Sequence, residues 1–239
     1  MSDQKFDKNS KKNVIQFALM LSIICSLLIT GAASGLKSLQ QENVKLDKIA
    51  NILKAANLIT GNHKPPKEVI QRLYRDHIRE VIVDKSGQPT DIMTDDALHL
   101  YYYHNENAID GYIIPINTKG LWGKIQGYLA FQNDGQTVSG FSVFSHAETP
   151  GLGGEIENAW FRKNFQGKKI LNAQNQFVSV GIAKGKVKHL PKNLQDHYVD
   201  GISGATLTGQ YLSEGIKSTL TKYEPVSVLF RQKSLKTIQ

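Results

Sequence analysis

A single cysteine, Cys25, stands in this 239-residue chain. No internal disulfide framework and no C-x-x-C pair is possible, so cysteine usage does not report the redox compartment. There is also no cysteine set to hold an iron–sulfur cluster. The seven histidines show no H-E-x-x-H and no other metal-binding spacing. His99 and His104, five apart, read as exposed or structural, and no metal site is expected. Walker A is missing. "GISG" is not a G-x-S-x-G nucleophile elbow, because the glycine follows the serine directly. "GLGGEI" is not G-x-G-x-x-G, and no clean strand end precedes it. The formal charge of +8 suits nucleic acid, an anionic membrane surface or plain solubility. Without paired Cys/His sites or an RNP-like aromatic run, nothing reads as a nucleic-acid module. Repeats and low-complexity tracts are absent, and with 40% apolar residues the chain can bury a core.

Charge is also missing from one long stretch. The 24 residues Asn13 to Leu36, "NVIQFALMLSIICSLLITGAASGL", carry none. A helix needs about 20 mostly apolar residues to cross the hydrocarbon core, and a cleaved signal has a shorter apolar region. The stretch therefore reads as a retained transmembrane helix. Its small residues Gly31, Ala32, Ala33, Ser34 and Gly35 fit a cleavage region or the close approach of another membrane helix. With no ionisable group inside, the span offers no ion relay of its own. Lys5, Lys8, Lys11 and Lys12 precede it, which keeps residues 1–12 cytoplasmic and places the body outside.

Beyond the span, Leu39, Leu46, Ile49, Leu53 and Ala56 recur at helical spacing. "GNHKPPKE", Gly61 to Glu68, breaks that helix. Residues 37–68 thus form a juxtamembrane helix and linker, and residues 69–239 the exported domain. "VIQRLYRDHIREVIVD" reads as a helix turning into a strand, and "DALHLYYYHNENAIDGYIIPI" as β-rich. Pro115 argues for an edge or irregular end there. Asp134-Gly135 between "KIQGYLAF" and "TVSGFSVF" signals a hairpin. A short helix is expected over Glu157 to Phe165, a strand at "FVSVGIA", and a helix from Thr206 to Tyr223. In that last helix Leu207, Tyr211, Leu212, Ile216, Leu220 and Tyr223 share a face. The fold class is α+β on one anchor.

Two stretches carry chemistry. "DGISGATLTG", Asp200 to Gly209, gathers hydroxyls among residues with almost no side chain, at the start of a helix. A threonine there is ordinarily an N-cap, yet no capping box follows. Free N–H groups and the helix dipole favour a phosphate at such a place. "SHAETPGLGGEI", Ser145 to Ile156, reads as a Gly-rich turn, but a plain turn needs no such string. The basic loop "AKGKVKHLPK", with Lys184, Lys186, Lys188 and Lys192, reads as solvated, or as electrostatic help for a phosphate or a partner surface.

Asp200-Gly201-x-Ser203-Gly204-Ala205-Thr206-x-Thr208 resembles the D-G-x-[ST]-G-A-T-x-[ST] motif of exported FMN-binding domains. The anchor, the juxtamembrane stretch, "ETPGLGG" and "SGAT" together resemble the C subunits of the sodium-translocating NADH:ubiquinone oxidoreductases. The G subunits of the related ferredoxin:NAD complexes share the layout, but the double glycine Gly153-Gly154 favours the former. A rival of another class is an anchored, non-redox scaffold or binding module.

The resemblance implies FMN, held covalently through its phosphate on Thr206 by a separate flavin transferase. It implies cofactor contacts from Ser203, Gly204, Ala205, Leu207 and Thr208. Glu148 and Thr149 would supply polar contacts, Gly151 close approach, and Leu152 packing on the ring. Asp200 and Gly201 would serve transferase recognition. The implied partners are the other members of a membrane complex, that transferase and membrane lipid. The implied activity is electron relay from NADH towards quinone, coupled to sodium export, in the bacterial inner membrane. The isolated chain would have no such activity.

The topology is open to test. A reporter active only outside the cytoplasm, fused after Gln239, is expected to be active. A mature protein starting near Ser34 would instead reveal a cleaved signal.

Overall fold

The computed structural model describes residues 11–60, 65–92, 94–105 and 108–234. Lys5 and Lys8, part of the inside-positive signal, and residues 61–64 of the predicted break lie outside these. Two units are distinguished, one ending at Lys45 and one beginning at Leu46. Helix α1 (Lys11–Ala55) begins in the first and ends in the second, and it is long and apolar enough to cross a membrane. Val14, Phe17, Leu21, Ile24, Leu28 and Leu36 are exposed along it. Leu39 is exposed as well.

The second unit is built on a five-stranded antiparallel meander. Its strands are β1 (Ile78–Val83), β2 (Leu98–Asn105), β3 (Ala108–Lys119), β4 (Lys124–Gln132) and β5 (Val138–Ser145), in chain order. Strand residues alternate between the two faces, and both faces are covered. Tyr102, Tyr112, Ile114, Ile116, Leu129 and Phe131 point to one side. There helix α5 (Thr206–Arg231) packs with Leu212, Ile216, Leu220 and Tyr223. On the other side, Tyr103, Ile113, Tyr128 and Ala130 meet Ala50, Leu53 and Ala56 from the end of α1 and Ile70 of helix α2 (Lys67–His77). The predicted juxtamembrane face is therefore present from Leu46 onward. The helix-to-strand change falls between His77 and Ile78.

The predicted hairpin joins β4 to β5. Asp134 Oδ1 accepts the amides of Gln136 and Thr137 at 3.0 and 2.9 Å, and its Oδ2 accepts the Thr137 hydroxyl at 2.6 Å. Pro115 sits inside β3, an interior strand, not at its end. The pairing with β2 stops at Ile113, however, so the missing N–H falls where β3 has only β4 beside it.

Three further expectations shift. The helix expected over 157–165 is only α3 (Ala159–Lys163); Phe161 within it and Phe165 in the turns that follow both pack against Phe141. "FVSVGIA" is not one strand. Ser179 adopts φ +71°, which interrupts the extended backbone and leaves β6 (Gly181–Ile182). After helix α4 (Lys192–Gln195) comes β7 (Tyr198–Val199), which pairs in parallel with β6. Finally α5 runs through Pro225 to Arg231. Val226, Ser227 and Phe230 beyond the proline are buried on the sheet, and that packing carries the helix past the hydrogen bond the proline cannot donate.

One contact ties α5 to the sheet. Tyr112 is fully buried, stacked on Phe131 at 5.0 Å and tilted against Phe230 at 4.4 Å. Its hydroxyl shares a 2.7 Å hydrogen bond with Ser227 Oγ. Burial pushes the phenol well above its ordinary pKa, so it stays protonated and able to donate. Tyr112→Phe is expected to cost about 1 kcal/mol, because the Ser227 hydroxyl keeps only a longer bond to the Tyr223 carbonyl. Adding Ser227→Ala is expected to recover part of that loss, since no buried hydroxyl is then left over. A double-mutant cycle by denaturant unfolding measures both effects.

Candidate functional site

One end of the sheet gathers three segments. They are the β3–β4 turn at 120–123, the loop after β5 and the first turn of α5. What joins them is a buried carboxylate. Glu148 is only 4% exposed. Its Oε2 accepts the Thr208 hydroxyl at 2.5 Å, and its Oε1 accepts the Trp122 amide at 3.1 Å. Thr208 is 1% exposed. There is no room for more: a Cβ on Gly153 would stand 2.5 Å from Thr208 Oγ1 and 2.7 Å from Glu148 Oε2.

The T-x-T spacing then has a geometric meaning. Two residues apart on a helix is about 200°, so one threonine faces in when the other faces out. Thr208 points to Glu148, and Thr206 is exposed. Thr206 opens α5, whose N-cap is Ala205 with no side-chain cap bond. The first N–H groups of the helix therefore have no side-chain acceptor at the cap, next to an exposed hydroxyl.

The two motifs touch. Gly204 has φ +75°, a conformation in which side chains are strained, and a Cβ there would lie 2.8 Å from Leu152 Cδ2. Leu152 itself is 43% exposed and Leu207 50%. The sequence places Leu207 on the packing face of α5, but it turns outward beside Thr206. Thr149 anchors the loop through its carbonyl, which accepts the amides of Leu152 and Gly154 at 3.1 and 2.9 Å. Thr149 and Gly151 are exposed, with Gly151 at φ +74°, and Ser203 is exposed. Ala205 is buried.

Asp200 and Gly201 face another way. Asp200 takes the Val187 amide at 2.7 Å and Lys186 Nζ at 2.9 Å. Burial alone would raise its pKa, but those bonds and the Lys186 charge hold it below the usual carboxylate value. A depressed pKa keeps the pair charged above the ordinary carboxylate range, and it is lost only as pH falls through the lowered value. So Lys186 of the basic loop is ion-paired to the motif.

Trp122 carries no signal in the sequence beyond its rarity. It is 69% exposed, and its backbone is fixed by Glu148. Only the fold brings it to the same end of the sheet as Leu152.

An exposed hydroxyl at an uncapped helix start, with apolar side chains in the open beside it, fits a phosphate carrying a flat apolar ring. No group of three or more His, Cys, Asp or Glu fit to hold a metal occurs among the described residues.

Residues 120–221 match the model of the FMN-binding domain family. Over 89% of its length the chain is 32% identical to the C subunit of the Na(+)-translocating NADH-quinone reductase of Haemophilus ducreyi, covering 91% of that protein. Its counterpart in Yersinia pestis is 32% identical over 91% of this chain and 90% of its own. This chain belongs to the C-subunit family of that reductase. A crystal structure of the C subunit from Parabacteroides distasonis is 28% identical, with a TM-score of 0.68 over 80% of this chain and 96% of that one. Shewanella oneidensis NqrC, 18% identical, shares the fold with a TM-score of 0.63 over 79% of this chain and 98% of its own.

Removing the inward hydroxyl tests the joint. Thr208→Val is expected to destabilise the chain by about 1–3 kcal/mol, because Glu148 Oε2 stays buried without its donor. Thr208→Ser is expected to unfold close to the parent. Thermal unfolding of the two variants side by side decides it.

Proposed function

We propose that this chain is the FMN-bearing electron carrier of a sodium-translocating NADH:quinone oxidoreductase, with FMN joined through its phosphate to Thr206. The observation that carries the reading is Thr206 itself: an exposed hydroxyl at the uncapped start of α5, two residues from the Gly204–Leu152 contact. The family, and the match to FMN-binding domains, support the cofactor. When bound, FMN supplies one-electron redox chemistry.

Each part of the chain has a task in this reading. The start of α5 offers its N–H groups and dipole to the phosphate. Ser203, Gly204 and Ala205 leave the approach to Thr206 open. Leu152 and Leu207 give the ring apolar contact, and Thr149 holds the Leu152 loop through its carbonyl. Gly151 leaves space beside that loop, since a Cβ there would meet nothing within 4 Å. Glu148 and Thr208 do not reach outward; they hold the three segments in register.

A threonine hydroxyl is a weak nucleophile unaided. A flavin transferase is the proposed partner in maturation, with FAD as donor. The Thr206 oxygen bonds to the flavin-side phosphorus, and the bond from that phosphorus to the bridging oxygen breaks. AMP leaves with the bonding pair, and the hydroxyl proton passes to a base of the transferase.

Residues 13–36 of helix α1 form a lipid-embedded single span, with residues 1–12 cytoplasmic and the FMN domain, 69–239, in the periplasm. The chain works with the other members of the complex, in which electron flow to quinone drives sodium export. NADH is oxidised on the cytoplasmic side, so this carrier lies downstream of the first hydride transfer.

Thr206→Ala, expressed with the transferase, is expected to lack the FMN increment in its intact mass. In an assembled complex, the variant is expected to lose quinone reduction and keep NADH oxidation by ferricyanide. Equal loss of both activities contradicts the relay. Normal quinone reduction makes this flavin dispensable.

A further inference from the structure

Both carboxylate oxygens of Asp200 are engaged inside the chain. Oδ1 accepts the Val187 amide at 2.7 Å, and Oδ2 pairs with Lys186 Nζ at 2.9 Å, leaving the aspartate side chain 24% exposed. Gly201 continues the grip. Its amide donates to the Gly185 carbonyl at 2.8 Å, and a Cβ there would collide with the Ala183 carbonyl oxygen. The Ala183 amide in turn donates to the Val199 carbonyl at 2.9 Å. These bonds prolong the parallel β6–β7 pairing, so that residues 199–201 and 183–187 are zipped together.

The start of α5 needs such support. It has no side-chain cap of its own. The chain entering it is a turn at Ser203-Gly204, closed by the Ala205 amide on the Ile202 carbonyl at 3.1 Å. That turn is fixed at one end by Leu152 against Gly204 and at the other by the Asp200–Gly201 grip.

We propose that Lys186, with the loop at 183–187, is a positioning element of the FMN acceptor site, acting through Asp200 to hold the turn that presents Thr206. The inference rests on the reading that Thr206 receives FMN. The Asp-Gly pair then works by fastening a loop within this chain, and not as a surface that an incoming enzyme reads.

The test follows flavin incorporation into the full chain, co-expressed with a flavin transferase, by intact mass and by in-gel flavin fluorescence over time. Lys186→Met removes the cation and keeps most of the apolar stem. Asp200→Asn removes the charge but keeps an oxygen for the Val187 amide. Both therefore lose only the ion pair, and both are expected to slow incorporation equally, by up to about five-fold, the range of a partly exposed pair. Lys186→Arg is expected to match the parent. Asp200→Ala, which also strips the Val187 amide of its acceptor, is expected to slow it further, about ten-fold or more.

Thermal midpoints of Lys186→Met and Lys186→Arg are expected to lie within about 4 °C of each other, so that both chains stay folded during labelling. A Lys186→Met chain that slows only in proportion to its unfolded fraction overturns the proposal. So does slowing by Asp200→Asn with Lys186→Met at the parental rate, because the carboxylate is then read directly by the enzyme. Parental rates in every variant overturn it as well. If Thr206→Ala still gains the FMN mass, the attachment reading itself fails, a result separate from the Lys186 comparison.

Discussion

A buried carboxylate has to be bonded, and that requirement organises the functional end of this domain. Glu148 is shut away from water with Thr208 and the Trp122 amide as its donors. An unpaired charge there would be costly, so the three segments that supply the bonds are held as one. The orientation of α5 follows. With Thr208 committed inward, helical geometry turns Thr206 outward, and the same rotation exposes Leu207. The packing of Gly153 against this joint leaves no freedom to rotate the helix start. The Thr208–Glu148 hydrogen bond, together with the packing of α5 on the sheet, therefore sets which way the outward hydroxyl faces.

The long N-terminal apolar helix and the Asp134-Gly135 hairpin are legible in the sequence because each rests on local chemistry: a long uncharged run and a turn with its own hydrogen-bond acceptor. The start of α5 is legible from its motif. Its end is not, because Pro225 ordinarily stops a helix, and only the burial of Val226 and Phe230 overrides it. "FVSVGIA" misleads for a related reason: its apolar residues do belong to the core, but Ser179 turns the backbone left-handed between them. At the site, both motifs are visible as strings, while the partners of Glu148 are not. Thr208 lies sixty positions away, and Trp122 belongs to a turn with no signature. The tie between Asp200 and Lys186 is likewise invisible, because a lysine-rich loop reads as solvent-facing until its contacts are known.

The openness of the site bears on why the proposed link is covalent. Pockets that hold small ligands by affinity alone commonly enclose most of the ligand surface. Here Thr206 and Leu207, at the start of α5, and Leu152 and Trp122, on the two neighbouring loops, are all exposed. A flavin resting on such a surface gains a few apolar contacts, each worth about 1 kcal/mol or less, against the freedom it loses on binding. A phosphoester removes that balance from the problem. Retention no longer depends on enclosure, and the ring stays reachable by redox partners. The uncapped helix start fits the same logic, because a side-chain cap would occupy the N–H groups that the phosphate needs. On this view the rigidity of the Glu148 joint and the openness around Thr206 are complementary: the chain fixes the point of attachment firmly and leaves the attached group accessible.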